Sequence, residues 1–208
     1  MFVVGFHSMR TVAVTGGIAC GKSLVGRILE SGGIPVCEAD DIAHQLMRRG
    51  QPLFEQVLLH FGGRVLDEAG EIDRRALGGI VFQEETERLK LNSLLHPEVE
   101  RTMHRWLDAR RHESCQASAA IVPLLFEAGM ECGWDVVVCV SARESVQMRR
   151  LLDRKITVDE ARQRIAAQWP VERKAERADF VLVNNGAEEL LLAQTRRMIK
   201  RILEMEKR

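Results

Sequence analysis

Gly16-Gly17-Ile18-Ala19-Cys20-Gly21-Lys22-Ser23 sets glycines, a lysine and a hydroxyl at the spacing G-x-x-x-x-G-K-[ST]. The chemistry open to such a run is phosphate binding. Its glycines let the backbone curl so that several N–H groups point inward at phosphate oxygens. A helix beginning near Lys22 adds its partial positive end. Lys22 brings a full charge to β- and γ-phosphates, and the Ser23 hydroxyl can ligate Mg²⁺. A plain glycine turn is the alternative, and the flanks argue against it. Thr11-Val12-Ala13-Val14-Thr15 reads as a buried strand, and Leu24 to Glu30 place Val25, Ile28 and Leu29 on one helical face.

Phosphoryl transfer also needs a carboxylate, to manage the metal or to take the proton of the attacking hydroxyl. In a parallel sheet it belongs at the carboxyl end of a strand beside the phosphate loop. The second strand, Ile34 to Cys37, follows a Gly32-Gly33 helix stop and runs into Glu38-Ala39-Asp40-Asp41. Strands at Ala119–Val122, Val136–Val140 and Phe180–Val183 end in Pro123, Ser141 and Asn184-Asn185-Gly186, and Asp135 precedes its strand. Asp41 is expected to N-cap a helix carrying Ile42, Ala43, Leu46 and Met47. Glu38 and Asp40 are left. Alternation along an extended segment turns both to one side, and at least one of them is expected to function.

The elements that must position these groups fall into three textures. Strands separated by helical patterns give an α/β core, a parallel sheet sandwiched by helices, over 9–49, 115–146 and 178–208. Between strands two and three, residues 50–114 read as helical. Phe54, Val57, Leu58 and Phe61 share a face, Asp73 is an expected N-cap, and a helix through Leu89–Leu95 is expected to stop at His96-Pro97 before another carrying Val99, Met103, Trp106 and Leu107. That stretch is too long for a crossover and reads as an inserted lobe over the acceptor substrate. His96, at a helix junction, has a packing role as its simpler reading. From Arg149 to Arg177 nine basic residues face five acids. Thr157 to Glu160 form a capping box. Residues 147–177 therefore read as a lid closing over phosphates, with a solvated charged hairpin as the alternative, and Arg150 and Arg154 share a helix face. The last helix, Ala187 to Met205, is expected to pack on the sheet through Leu191, Met198, Ile202 and Met205.

Composition narrows the class. The 208 residues are 46% apolar and 29% charged, with a formal net charge of +0. No global field draws in nucleic acid, and no apolar run approaches a membrane span. Met1 to Ser8 are apolar but a poor signal peptide, and Met9, directly before the first strand, is a candidate true start. Five cysteines, none in a C-x-x-C pair, read as reduced thiols in a cytoplasm. Cys20 lies in the phosphate loop, where inward N–H groups would lower its pKa. An inert small filler is the favoured reading.

These segments together resemble the dephospho-CoA kinase family, over Met9 to about Glu189. The resemblance rests on Thr15-Gly16-Gly17-Ile18 leading into Gly21-Lys22-Ser23, Ala39-Asp40 with Ile42-Ala43, Leu94-Leu95-His96-Pro97, Val122-Pro123-Leu124-Leu125-Phe126-Glu127, Gln147 through Arg154, and Ala178-Asp179 with Asn184-Asn185-Gly186. It implies a P-loop kinase fold with a helical substrate-binding insertion and a helical lid. The implied activity is ATP-dependent phosphorylation of the ribose 3′-hydroxyl of dephospho-CoA, the last step of coenzyme A biosynthesis, with Mg²⁺ as cofactor and no nucleic-acid or membrane partner. The resemblance makes Asp40 the base, with Lys22 and Arg150 catalytic. It assigns Gly17, Ile18, Ala19, Cys20, Gly21, Lys22, Ser23, Leu24, Arg154, Asn184, Asn185 and Gly186 to ATP, and Ser23 also to the metal. Asp40, His96, Leu124, Phe126 and Glu127 fall to the acceptor. The chain departs from the family's usual residues at Glu38, at His44 and at Ala19-Cys20. The alternatives are another small-molecule kinase on the same plan, and a guanine-nucleotide switch. The segment 50–113 carries twelve acids against nine basic residues, which does not favour a phosphate-clamping acceptor lobe. Asn184-Asn185-Gly186-Ala187 is not the Asn-Lys-x-Asp that reads guanine.

Overall fold

The computed structural model describes residues 9–113 and 115–205; Met1 to Ser8 lie outside the described residues. Five strands form one parallel sheet: β1 (Arg10–Gly16), β2 (Val36–Glu38), β3 (Ala117–Ile121), β4 (Val136–Ser141) and β5 (Phe180–Val183), in the order β2-β3-β1-β4-β5. β1 is central and wholly buried, with Val14 beside Ile121 on one flank and Val138 on the other. Runs such as Val12-Ala13-Val14 and Val136-Val137-Val138 lack polar alternation because helices cover both faces of a parallel sheet.

The helices are α1 (Lys22–Ser31), α2 (Ala39–Leu46), α3 (Pro52–Phe61), α4 (Arg74–Gln83), α5 (Glu85–Arg111), α6 (Glu144–Asp153), α7 (Val158–Ala166), α8 (Val171–Glu176) and α9 (Glu188–Glu204). Local rules explain their ends. The Asp73 side chain accepts from the Arg75 and Ala76 N–H groups and starts α4, and Thr157 accepts from the Glu160 N–H and starts α7. Gly32 closes α1, as its position in the sequence predicts.

The chain divides into two compact units. One holds the described residues up to Cys37 and from Arg105 onward, and the other is Glu38–His104. The first contains the sheet, and Val12, Val25, Leu29, Ile121, Val138, Leu191 and Ile202 form its core. The second has a core of its own around Leu53, Phe54, Val57, Phe61, Ile72 and Leu77. It begins ahead of residue 50 and ends inside α5.

Several local expectations are corrected. His96-Pro97 does not end a helix: Pro97 lies inside the 27-residue α5. Proline removes one backbone bond from a helix, and the long helix carries that loss. Asp41 is not an N-cap, since α2 already starts at Ala39 and both Asp40 and Asp41 sit in its first turn. The extended alternation that was to turn Glu38 and Asp40 to one side therefore stops at Glu38. Met205 is exposed, not packed on the sheet; its carbonyl accepts from the Arg10 guanidinium.

Candidate active site

The phosphate loop leaves the carboxyl end of β1 and enters α1 with the conformations its residues predict. Gly16 has φ 140°, and a Cβ there would fall 2.1 Å from the Val140 carbonyl oxygen, inside the backbone of the next strand. Gly21, at φ 105°, is the N-cap of α1; a Cβ on it would lie 2.3 Å from Asn184 Nδ2. Ala19 takes φ 57°, a strained value for a residue with a Cβ. The first turn of α1 carries no acidic side chain and no side-chain cap. The helix therefore sets no carboxylate of its own first turn against its positive end. Lys22 Nζ donates to the Gly16 and Gly17 carbonyls at 3.0 and 2.9 Å.

Groups far along the chain hold the loop. From α6, the Arg150 guanidinium donates to the Ala19 carbonyl at 3.0 Å and to the Asn184 carbonyl and Oδ1 at 3.2 and 3.0 Å. Asn184, buried at the end of β5, donates Nδ2 to the Cys20 carbonyl at 2.8 Å. Gln168 Oε1 accepts from the Ile18 N–H at 2.9 Å. Gln147, buried on α6, donates to the Ala142 carbonyl, and its Oε1 lies 2.8 Å from where a Cβ on Gly17 would stand. Ala19 packs with Leu151 and Ala161, beside Ile18 and Ile165. The structure thus gathers Gly17 to Leu24, Arg150 and Asn184 into one site.

Arg154 is exposed at the end of α6, Asn185 Oδ1 accepts from the Arg143 N–H, and Gly186 is exposed. Gln147 and Gln168 were missed as loop supports. Gln147 carried one readable signal, its spacing of three from Arg150 on a helix; Gln168, in the turn between α7 and α8, carried none.

Of the two readings of Cys20, the structure bears out the inert filler. The residue is fully buried, and that burial raises its thiol above the ordinary range, outweighing the nearby Lys22 and the backbone N–H groups that act to lower it. Cys139 is also buried and is pushed up to about 12, first by burial and then by Cys20.

A second cluster follows β3. Glu127 Oε1 accepts from the Lys174 ammonium at 2.7 Å and from the Trp169 N–H at 2.8 Å. Lys174 is fully buried and also donates to the Pro123 carbonyl at 2.9 Å, the same oxygen that accepts from the Thr15 hydroxyl. Phe126 stacks on Trp169, and the Arg173 guanidinium lies 3.4 Å from the centre of the Trp169 ring. Among the described residues Glu127 Oε2 is buried without a hydrogen-bond partner. Leu124 is half-buried in the same turn.

In the 38–104 unit, Asp40 is the second residue of α2 and exposed. His96 is half-buried on α5, and burial lowers its pKa from the ordinary value, against a weaker upward pull from Glu100. No group of three or more His, Cys, Asp or Glu side chains able to hold a metal occurs among the described residues. The loop offers one oxygen donor, the Ser23 hydroxyl, which fits a hard ion that keeps most of its water or takes its other ligands from a nucleotide, as Mg²⁺ does.

A phosphate loop of this geometry, after the first strand of a parallel sheet with β3 and β4 beside it, defines a P-loop kinase. A family model for dephospho-CoA kinase matches residues 10–189, and the chain belongs to that family. It is 42% identical over 194 residues to the dephospho-CoA kinase of Geobacillus kaustophilus, covering 93% of this chain and 94% of that one. A crystal structure from Thermus thermophilus matches at TM-score 0.80 and 30% identity, covering 95% of this chain and 99% of that one. Dephospho-CoA kinase from Campylobacter jejuni matches at TM-score 0.66 and 26% identity, covering 93% and 97%. A shikimate kinase from Acinetobacter baumannii, at TM-score 0.51 and 13% identity, shares the fold alone. The chain is a kinase of the last step of coenzyme A biosynthesis, using ATP to phosphorylate the 3′-hydroxyl of dephospho-CoA.

Proposed function

We propose that Asp40 accepts the proton of the acceptor 3′-hydroxyl, while the loop from Gly17 to Leu24 holds the ATP phosphates and Lys22 meets the charge that develops on them. The complete phosphate loop, with a helix N-terminus behind it whose first turn carries no acid, supports this reading. Transfer proceeds through a loose transition state with charge spread over the phosphoryl oxygens, so positioning and electrostatics do most of the work. Lys22 Nζ, now on the Gly16 and Gly17 carbonyls, exchanges those weak acceptors for phosphate oxygens. Arg150 already stands beside the loop; with Arg154 it approaches the transferring group, while Asn184 to Gly186 flank the adenine.

The Ser23 hydroxyl, with the nucleotide phosphates, would hold Mg²⁺, which would neutralise phosphate charge. Glu38, a strand-end acid, is secondary to Asp40. The 50–114 segment receives the acceptor together with His96 and the Leu124-to-Glu127 turn. Residues 147–177 act as the lid. Among the described residues no helix is long and apolar enough to cross a membrane, and the site of action is the cytoplasm.

ATP consumption measured with and without dephospho-CoA tests the reading. Consumption should require the acceptor. Asp40→Asn, nearly isosteric, should lower kcat by about 10²–10⁴, the range for loss of a general base, with ATP binding kept and Glu38→Gln costing clearly less. A larger loss from Glu38→Gln, with Asp40→Asn near wild type, would reverse the two roles.

A further inference from the structure

We propose that a cavity inside the 38–104 unit is the anion site that takes the diphosphate bridge of the acceptor; the assignment rests on the role given to Asp40 above. The cavity has a volume of about 820 Å³ and is lined by His44, Arg48, Arg49, Arg74 and Arg75. None of the four arginines makes an ion pair or a side-chain hydrogen bond among the described residues. A guanidinium presents a planar fork of donors that matches phosphate oxygens two at a time. Four guanidinium groups stand against three carboxylates, Asp67, Glu71 and Asp73, in this lining, so the hollow keeps a small basic excess although the 50–113 segment as a whole is acidic.

Acids line the same cavity, and each already serves the backbone. Asp67 Oδ1 accepts from the Ala69 and Glu71 N–H groups. Asp73 Oδ1 caps α4 through the Arg75 and Ala76 N–H groups. Glu71 Oε2 accepts from the Arg49 backbone N–H at 3.0 Å. These carboxylates build the wall and leave the guanidinium groups to a ligand. The wall is fixed: Leu66 pairs with Ile72 across a tight turn with Gly70 at φ 76°, and Met47, Ile72 and Leu77 are buried beneath it.

Substrate chemistry decides which anion. In dephospho-CoA only a few bonds separate the ribose 3′-hydroxyl from the first phosphorus of the diphosphate. Asp40 and His44 lie one turn apart on α2, a spacing that brings Cβ atoms within about 5–6 Å. A ribose whose 3′-hydroxyl meets Asp40 therefore has its diphosphate at the level of His44, with Arg48 two residues past the end of α2. A nucleoside without phosphate gains nothing from this cavity.

The test is calorimetric titration of the full chain, with the phosphate loop saturated by a non-hydrolysable ATP analogue. Arg48→Ala and Arg74→Ala should each weaken dephospho-CoA binding by about tenfold, the scale of one charge-assisted phosphate contact. Adenosine, which carries the 3′-hydroxyl without the diphosphate, should bind wild type and variants alike. Arg48→Lys should recover part of the loss, and His44→Arg should tighten dephospho-CoA. Binding of dephospho-CoA within about twofold of wild type in both alanine variants, or a parallel loss of adenosine binding, overturns the proposal. If those variants bind normally while wild type phosphorylates dephospho-CoA and Asp40→Asn does not, the cavity assignment falls alone. If wild type does not phosphorylate dephospho-CoA, the functional reading falls with it.

Discussion

Two sets of basic side chains differ in what holds them. Around the phosphate loop, Lys22, Arg150 and Lys174 all bind protein: the first two sit on loop carbonyls, and the third is buried against Glu127 and the Pro123 carbonyl. In the 38–104 unit, Arg48, Arg49, Arg74 and Arg75 line a cavity without ionic partners among the described residues. Cations of the first set are part of the fold, so removing one disturbs either a reaction step or the scaffold. Those of the second set are solvated, and their removal should change binding and little else.

Lys22→Ala gives the largest effect expected on this contrast. Its ammonium leaves two neutral carbonyls for charge that grows in the transition state, so the loss should fall on kcat, by about 10³-fold. The fold should persist, because glycine geometry and the Arg150 and Asn184 contacts shape the loop. Steady-state rates on a variant of unchanged circular dichroism check this; near-normal kcat would remove Lys22 from the reaction.

The loop was legible because its residues permit little else. Positive φ at Gly16 and Gly21, an apolar strand before and an amphipathic helix after all act within a few residues. Asp73 and Thr157 were legible as caps for the same reason. The supports behind the loop were not, since Gln168 reaches Ile18 across 150 positions of sequence and no local pattern encodes that. Pro97 misled because a proline's local penalty was weighed without the packing that carries α5 through it. Cys20 went the other way: the inert filler held, although the burial that dominates its pKa is a property of the packed fold and was not readable from the loop alone.

Lys174 separates scaffold from cavity by stability. Lys174→Met leaves the Glu127 carboxylate buried without its counter-charge, which should cost about 3–5 kcal/mol. Lys174→Met with Glu127→Gln should recover part of that, because no uncompensated charge remains. Arg74→Ala, at an exposed cavity position, should stay within about 0.5 kcal/mol of wild type. Urea unfolding of the three variants tests the contrast. A Lys174→Met variant as stable as wild type would mean that the buried pair does not hold the turn after β3.

The smallest expected effect belongs to His96, and it decides whether this residue is only a packing group. Burial depresses its pKa, so the unfolded chain takes up a proton from this side chain more readily than the folded one. Above the ordinary histidine pKa both states are neutral and His96 adds no pH dependence. As pH falls below that value, protonation favours the unfolded chain and stability is lost, until the folded-state pKa is passed and the loss levels off. His96→Gln should therefore flatten the fall of stability in mildly acid solution while leaving the neutral-pH value little changed. Thermal melts across that range, on wild type and variant, measure the difference. If dephospho-CoA binds near His96, saturating acceptor should alter the wild-type slope and leave the variant's slope unchanged, and equal slopes with and without acceptor would confine His96 to packing α5.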